Sequence, residues 1–266
     1  MTQITSLQNP RVKAVLRLRD ARHRAKQSRF LIDGARELGR AIQAGVRLRE
    51  VFVCRPACAT PDAQQVLRML DRCGAEILEA TQPVLEKLTF GQRCEGLLGV
   101  AETPRRGLDQ LVLPDRPLVA VLQGAEKPGN VGAVLRSADG AGVSALIVAD
   151  GGTDLFNPNA IRASLGTIFT MPLAAAGTAE TIDWLRRHGL AVYAARGDGS
   201  LPYTEADLRG PAAIVLGPEA TGLTPAWSGP WLTAVRLPML GAADSLNVSA
   251  TAAVLFYEAL RQRSAG

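Results

Sequence analysis

The run at residues 118–122 is apolar at every position, and residues 145–148 and 212–216 repeat that character. A strand with one wet face alternates polar and apolar residues, so a strand without polar positions has both faces covered. The pattern predicts a mainly parallel sheet with helices on both sides, because parallel neighbours need long crossovers. Helices are predicted between the runs at 131–141, closed by Gly142, and at 178–188, closed by Gly189. Further strands are predicted at 168–173, 190–194 and 235–237, and a short helix at 159–165. A last helix is predicted over 250–261, where Ala253, Phe256, Tyr257 and Leu260 recur at three- and four-residue steps.

The first hundred residues read as a separate, smaller α/β unit. A helix is predicted over 8–28, opened by Asn9 and Pro10. Strands follow at 30–32, 51–53, 76–78 and 97–101, with helices at 35–44, 63–72 and 84–88. Pro104, Pro114 and Pro117 mark a linker. The expected division is therefore a domain at 1–103, a linker at 104–117 and a second domain at 118–266.

Charge separates the two parts. Residues 1–50 hold twelve Lys and Arg against Asp20, Asp33, Glu37 and Glu50, a net +8 in a chain whose total is +5. A basic first unit on a near-neutral body points to a phosphate-rich partner, and nucleic acid fits better than a membrane surface because no broad apolar face accompanies the charge. Arg11, Arg17, Arg19, Arg22, Arg24, Lys26 and Arg29 are the candidate nucleic-acid contacts. Arg162, in a polar stretch with Ser164 and Gly166, either touches nucleic acid or helps cap a helix. With only His23 and His188, no His-rich metal site or Ser-His-Asp triad is expected. Cys54, Cys58, Cys73 and Cys94 lack paired metal-ligand spacing and read as free thiols. No metal is expected, no run reaches membrane-spanning length, and no signal peptide is read at the start, so a cytoplasmic location is expected.

Three strand ends carry unusual glycine-bearing loops. The first runs from Gln123 to Gly132 and leads into a helix holding Arg136; the second is Leu216-Gly217-Pro218-Glu219-Ala220-Thr221-Gly222. The third runs from Pro238 to Ser249 and ends in Ser245-Leu246-Asn247-Val248-Ser249. Ligands in open α/β sheets sit beyond the carboxyl ends of strands, so three such loops predict one composite pocket. Neither a GxGxxG after a strand nor a GxxxxGK[ST] occurs, which argues against the usual dinucleotide fold and a P-loop. Capping explains one of the three small polar residues in the last loop; Ser249 is expected to cap, with Ser245 and Asn247 facing the pocket.

Asn130-x-Gly132-x-x-x-Arg136, Leu216-Gly217-x-Glu219-x-x-Gly222 and Pro238-Met239 with Ser245-Leu246-Asn247-Val248-Ser249 resemble, in order and spacing, the three motifs of the SpoU/TrmH family of the SPOUT class. Asn9-Pro10-Arg11 and Phe30-Leu31-Ile32-Asp33-Gly34 resemble, more loosely, the L30e-like substrate-binding domain often fused to it. Lys127-Pro128-Gly129 stands where an acidic approach to the Asn is more common. The resemblance implies an α/β knot, mainly parallel and with a trefoil-knotted C-terminus, in a homodimer that transfers methyl groups from S-adenosylmethionine to an RNA ribose 2′-hydroxyl. It implies cofactor contacts at Leu216, Gly217, Gly222, Leu237, Met239, Ser245, Leu246 and Asn247. It implies catalytic roles for Arg136, Asn130, Glu219, Ser245 and Asn247. Glu219 is placed to fix either Arg136 or the amides of the third motif. Ribosomal RNA, of the 23S type, is the expected substrate because of the fused basic domain; transfer RNA and a non-catalytic RNA-binding role are the alternatives.

Overall fold

The computed structural model describes residues 2–90 and 94–264 of the chain. The chain packs into two compact units, and the first is discontinuous: Met1–Arg105 with Asp154–Thr170, against Arg106–Thr153 with Met171–Gly266.

The first unit opens with β1 (Thr2–Ile4), α1 (Pro10–Arg17), α2 (Ala21–Gln27), β2 (Arg29–Asp33) and α3 (Ala35–Gln43). It continues with β3 (Leu48–Val53), α4 (Pro61–Met69), β4 (Glu76–Ala80), α5 (Gln82–Leu88) and β5 (Leu97–Glu102). Its sheet runs β1-β4-β3-β5-β2. β4 is parallel to both β1 and β3, while β5 is antiparallel to β3 and β2. The single helix predicted over 8–28 is two helices. Asp20 breaks it, because its Oδ1 accepts from the backbone N–H of Arg22 (2.8 Å) and His23 (3.3 Å) and so starts a new helix. β1 had no expectation in the sequence.

The second unit begins with β6 (Leu118–Gln123), α6 (Pro128–Gly140) and β7 (Ala145–Ala149). The chain then leaves it, and α7 (Pro158–Ala163) and α8 (Thr167–Thr170) pack in the first unit. There Phe30 stacks on Phe156 at 4.5 Å and on Phe169 at 6.0 Å between ring centroids. The strand expected at 168–173 is thus a helical turn followed, after Pro172, by β8 (Leu173–Ala176). Thr167 and Thr170 return their hydroxyls to the carbonyls of Ser164 and Thr167, an arrangement only a turn permits. Short apolar runs suit either state until their partners are known.

α9 (Thr178–Arg187), β9 (Ala191–Ala195), β10 (Leu201–Pro202), β11 (Ala212–Leu216), β12 (Leu232–Arg236) and α10 (Val248–Ser264) complete the second unit. Its seven strands run β10-β12-β9-β11-β6-β7-β8 and every pairing is parallel. All positions of β6, β7 and β11 are buried, which is why those three runs carry no polar alternation. Fully burying one Val or Leu contributes about 1.5–3 kcal/mol, so these central strands form the stiffest part of the unit. Arg263, near the end of α10, donates to the carbonyls of Leu208, Arg116, Pro117 and Gly210 and pins the helix to the edge of the fold.

Candidate functional site

β12, β9, β11 and β6 are neighbours in the parallel sheet, so their carboxyl ends open on one side. The three glycine-bearing loops leave β6, β11 and β12 there. Glu219, in the loop after β11, joins all three. Its Oε1 accepts from Asn130 Nδ2 (3.3 Å), Asn247 Nδ2 (2.6 Å) and the backbone N–H of Val248 (3.1 Å). Of the two roles foreseen for Glu219, the structure shows the one toward the third motif; Arg136 is not its partner.

Asn247 does not border the large cavity described below. Its Oδ1 accepts from the backbone N–H of Ser249 (2.9 Å) and from Ser249 Oγ (2.6 Å) at the start of α10. Asn247 therefore caps the helix, and the cap expected at Ser249 is corrected: Ser249 is the capped residue. Alternation along the segment could not distinguish the two, since both side chains fall on the same side of an extended chain.

A cavity of about 800 Å³ lies between the loops, bordered by Leu216, Gly217, Gly222, Leu237, Met239, Ser245 and Leu246. A side chain at Gly217 would place its Cβ 2.7 Å from the Leu223 nitrogen, so the loop can fold back on itself only with glycine there. One wall was missed by sequence reasoning: Arg196, Gly197 and Asp198, after β9. Gly197-Asp198-Gly199 at a strand end was the signal that could have found it. Arg196 holds Asp198 through two bonds, at 2.9 and 2.8 Å, and that pairing keeps the Asp198 carboxyl below its ordinary range. Arg236 donates to the carbonyls of Gly199 and Ser200 and fixes the same wall.

Gln123, 3% exposed at the end of β6, braces the second loop from below. Its Nε2 donates to Thr224 Oγ1 (2.8 Å), and its Oε1 accepts from the Thr224 N–H (3.1 Å). A smaller cavity, of about 120 Å³, adjoins the first loop, with Glu126, Lys127, Asn130 and Glu219 on its border. Arg136 is exposed on α6, makes no hydrogen bond or ion pair among the described residues, and borders neither cavity. The chain thus brings Asn130, Glu219 and Asn247 together and leaves Arg136 apart.

The basic residues of the first unit divide in the same way. Arg17, Arg22 and Lys26 are exposed and without a partner among the described residues, and half-buried Arg29 is also unpaired. Arg11 is paired with Glu50 (3.2 Å) and Glu76 (2.7 Å). Arg19 donates to the carbonyls of Lys87 and Thr89 and lies over the Phe90 ring. Arg24 is only 3% exposed; it holds Asp154 at 2.5 Å and the carbonyls of Leu18 and Arg19, so it is an internal tie rather than a surface contact. Arg162 is likewise engaged, with Asp33 at 2.9 Å and the Phe90 carbonyl at 2.6 Å. Burial pushes the Asp33 carboxyl up despite that partner, and burial does the same to Glu37 nearby. The cysteines are free, and burial pushes the Cys58 thiol up to about 11. Among the described residues no cluster of three His, Cys, Asp or Glu could hold a metal ion, and no helix is long and apolar enough to cross a membrane.

Residues 117–257 match the model of the SpoU rRNA Methylase family. The chain belongs to that family. Residues 9–99 match a second model, described as an MRM3-like substrate binding domain. Among SpoU relatives, the 23S rRNA (uridine(2479)-2′-O)-methyltransferase of Streptomyces viridochromogenes is 29% identical over 96% of this chain and 89% of its own. Among solved structures, an RNA 2′-O ribose methyltransferase superposes with a TM-score of 0.86 at 46% identity, covering 99% of this chain and all of that one. An AdoMet-bound rRNA methyltransferase from Sinorhizobium meliloti also reaches 0.86, at 28% identity over 98% of this chain and 97% of its own.

Proposed function

We infer that this SpoU family protein is an S-adenosylmethionine-dependent methyltransferase acting on a ribose 2′-hydroxyl of ribosomal RNA, of the 23S type. The observation that carries the reading is Glu219 binding the three motif loops together at the rim of a cavity of about 800 Å³. The cavity suits the cofactor. Leu237, Met239 and Leu246 supply apolar cover for an adenine, while Asp244 presents a carboxylate to a donor carrying a sulfonium and an ammonium group. The fold-back at Gly217 brings backbone amides to the same rim. When bound, S-adenosylmethionine supplies an electrophilic methyl group on a positively charged sulfur. The protein's part is to position the hydroxyl, accept its proton and stabilise charge on the oxygen.

Arg136 is the charged residue we assign to the target phosphate and the developing alkoxide. Its exposure on α6, on the border of neither cavity, supports a homodimer in which it serves the site of a second copy. Arg17, Arg22, Lys26 and Arg29 offer the first unit's open charge to the RNA backbone. An RNA substrate of this kind fits a cytoplasmic protein.

The test is methyl transfer from labelled S-adenosylmethionine to purified 23S-type RNA and, separately, to transfer RNA, followed by nucleoside analysis. We expect 2′-O-methylated nucleoside from the ribosomal RNA alone. Transfer RNA as the sole acceptor would replace the substrate, and neither RNA accepting methyl would sink the reading. Arg136→Ala should abolish transfer and leave donor affinity unchanged; lost donor affinity would move Arg136 into the cofactor site.

A further inference from the structure

The two oxygens of Glu219 are used unequally. Oε1 receives all three hydrogen bonds, from Asn130, Asn247 and Val248. Oε2 receives none among the described residues; its neighbour is Lys127 Nζ at 4.0 Å, a distance for charge interaction rather than hydrogen bonding. Oε1 thus carries the clamp, and Oε2 is the oxygen left open.

Position sharpens the contrast. Glu219 borders both cavities, the larger one assigned to the methyl donor and the smaller one beside the first loop. The other carboxylates border one only: Asp198 and Asp244 the larger, Glu126 the smaller. Asp198 is already committed to Arg196. Neither histidine borders a cavity, and His188 sits under Trp184 with its Nδ1 on the Trp184 carbonyl. Arginine remains protonated at any working pH and makes a poor base.

We propose that Glu219 Oε2 is the acceptor of the ribose 2′-hydroxyl proton and that the target ribose enters from the smaller cavity. The proposal rests on the methyl-transfer reading above. In the step, the 2′-O–H proton passes to Oε2. The oxygen's freed electron pair forms the bond to the methyl carbon. The carbon–sulfur bond breaks with its pair on sulfur, which cancels the sulfonium charge. Glu219 is 32% exposed, so the proton then leaves to solvent and no further reactant is required. Oε1 stays in its three bonds throughout, so the loops do not move when Oε2 changes protonation. The Lys127 side chain is 74% exposed and has no other partner among the described residues.

The test compares wild type and Glu219→Gln for single-turnover transfer to 23S-type RNA, with S-adenosylmethionine affinity measured by calorimetry. Glu219→Gln retains an acceptor oxygen for the clamp. It should bind the cofactor within about threefold of wild type while transferring methyl about 10²-fold or more slowly, the range expected for a lost general base. A Glu219→Gln enzyme within tenfold of the wild-type rate overturns the proposal. So does one whose cofactor affinity falls in step with its rate, since Glu219 would then be only a clamp. Wild type that transfers no methyl defeats the underlying reading instead, and the two failures are distinct.

Discussion

The two units spend their charges differently. In the first, Arg24 is buried, and Arg19, Arg11 and Arg162 are held closer to the surface by carboxylates and backbone carbonyls. In the second, the polar residues of the motifs gather around one partly exposed carboxylate at the mouth of a cavity. The first arrangement is structural: a buried guanidinium leaves its partners stranded when removed. The second is a candidate site, set at the carboxyl ends of a parallel sheet. A charge in the sequence is therefore no guide to its use until burial is known.

The sharpest way to break this contrast is Arg24→Ala. Removing Arg24 strands the Leu18 and Arg19 carbonyls and the partly exposed Asp154, at about 1–3 kcal/mol for each buried acceptor, so a denaturant titration should show a loss of several kcal/mol. A change below about 1 kcal/mol would return Arg24 to the list of RNA contacts. Next is Gln123→Ala, which strands the Thr224 N–H and hydroxyl. It should lower stability by about 1–3 kcal/mol and weaken S-adenosylmethionine binding by calorimetry, with Gln123→Glu restoring only part of each. Unchanged affinity would separate this brace from the cofactor wall. Replacing Arg22 and Lys26 together should leave the melting temperature alone. It should reduce the salt slope of RNA binding by roughly one to two units, and an unchanged slope would place the RNA elsewhere. The smallest effect is expected from Glu37→Gln. Burial raises the Glu37 carboxyl above its unfolded value, so its stabilising contribution is present at low pH and lost as pH rises through the folded value. The variant should melt slightly higher than wild type at neutral pH and no differently in acid.

Much of the second unit was legible in the chain because its constraints are local. The strands at 118–122, 145–148 and 212–216 are buried on both faces, and their composition says so. The loops were legible because strand ends, glycines and polar residues coincide. What was illegible depends on distant partners. Ser249 and Asn247 differ only in which one reaches the first turn of α10. The break at Asp20 is a side-chain cap inside a run of charges that looks continuous. Arg24 and Asp154 lie 130 positions apart, and neither carries a mark of the other. The stretch at 168–173 is apolar because Phe169 packs on Phe30, a contact that periodicity cannot register.

The excursion of Asp154–Thr170 into the first unit also bears on modularity. The chain passes between the units at 105–106, 153–154 and 170–171, so no single cut parts them. A recombination event at the Pro-rich linker would hand the N-terminal region to a new host without the segment that covers Phe30 and neutralises Arg24 and Asp33. The fusion can be inherited whole or rebuilt at three places, but it cannot be shuffled as a cassette. Any transplant of the substrate-binding unit onto another methyltransferase has to carry a matching insert in the middle of the recipient.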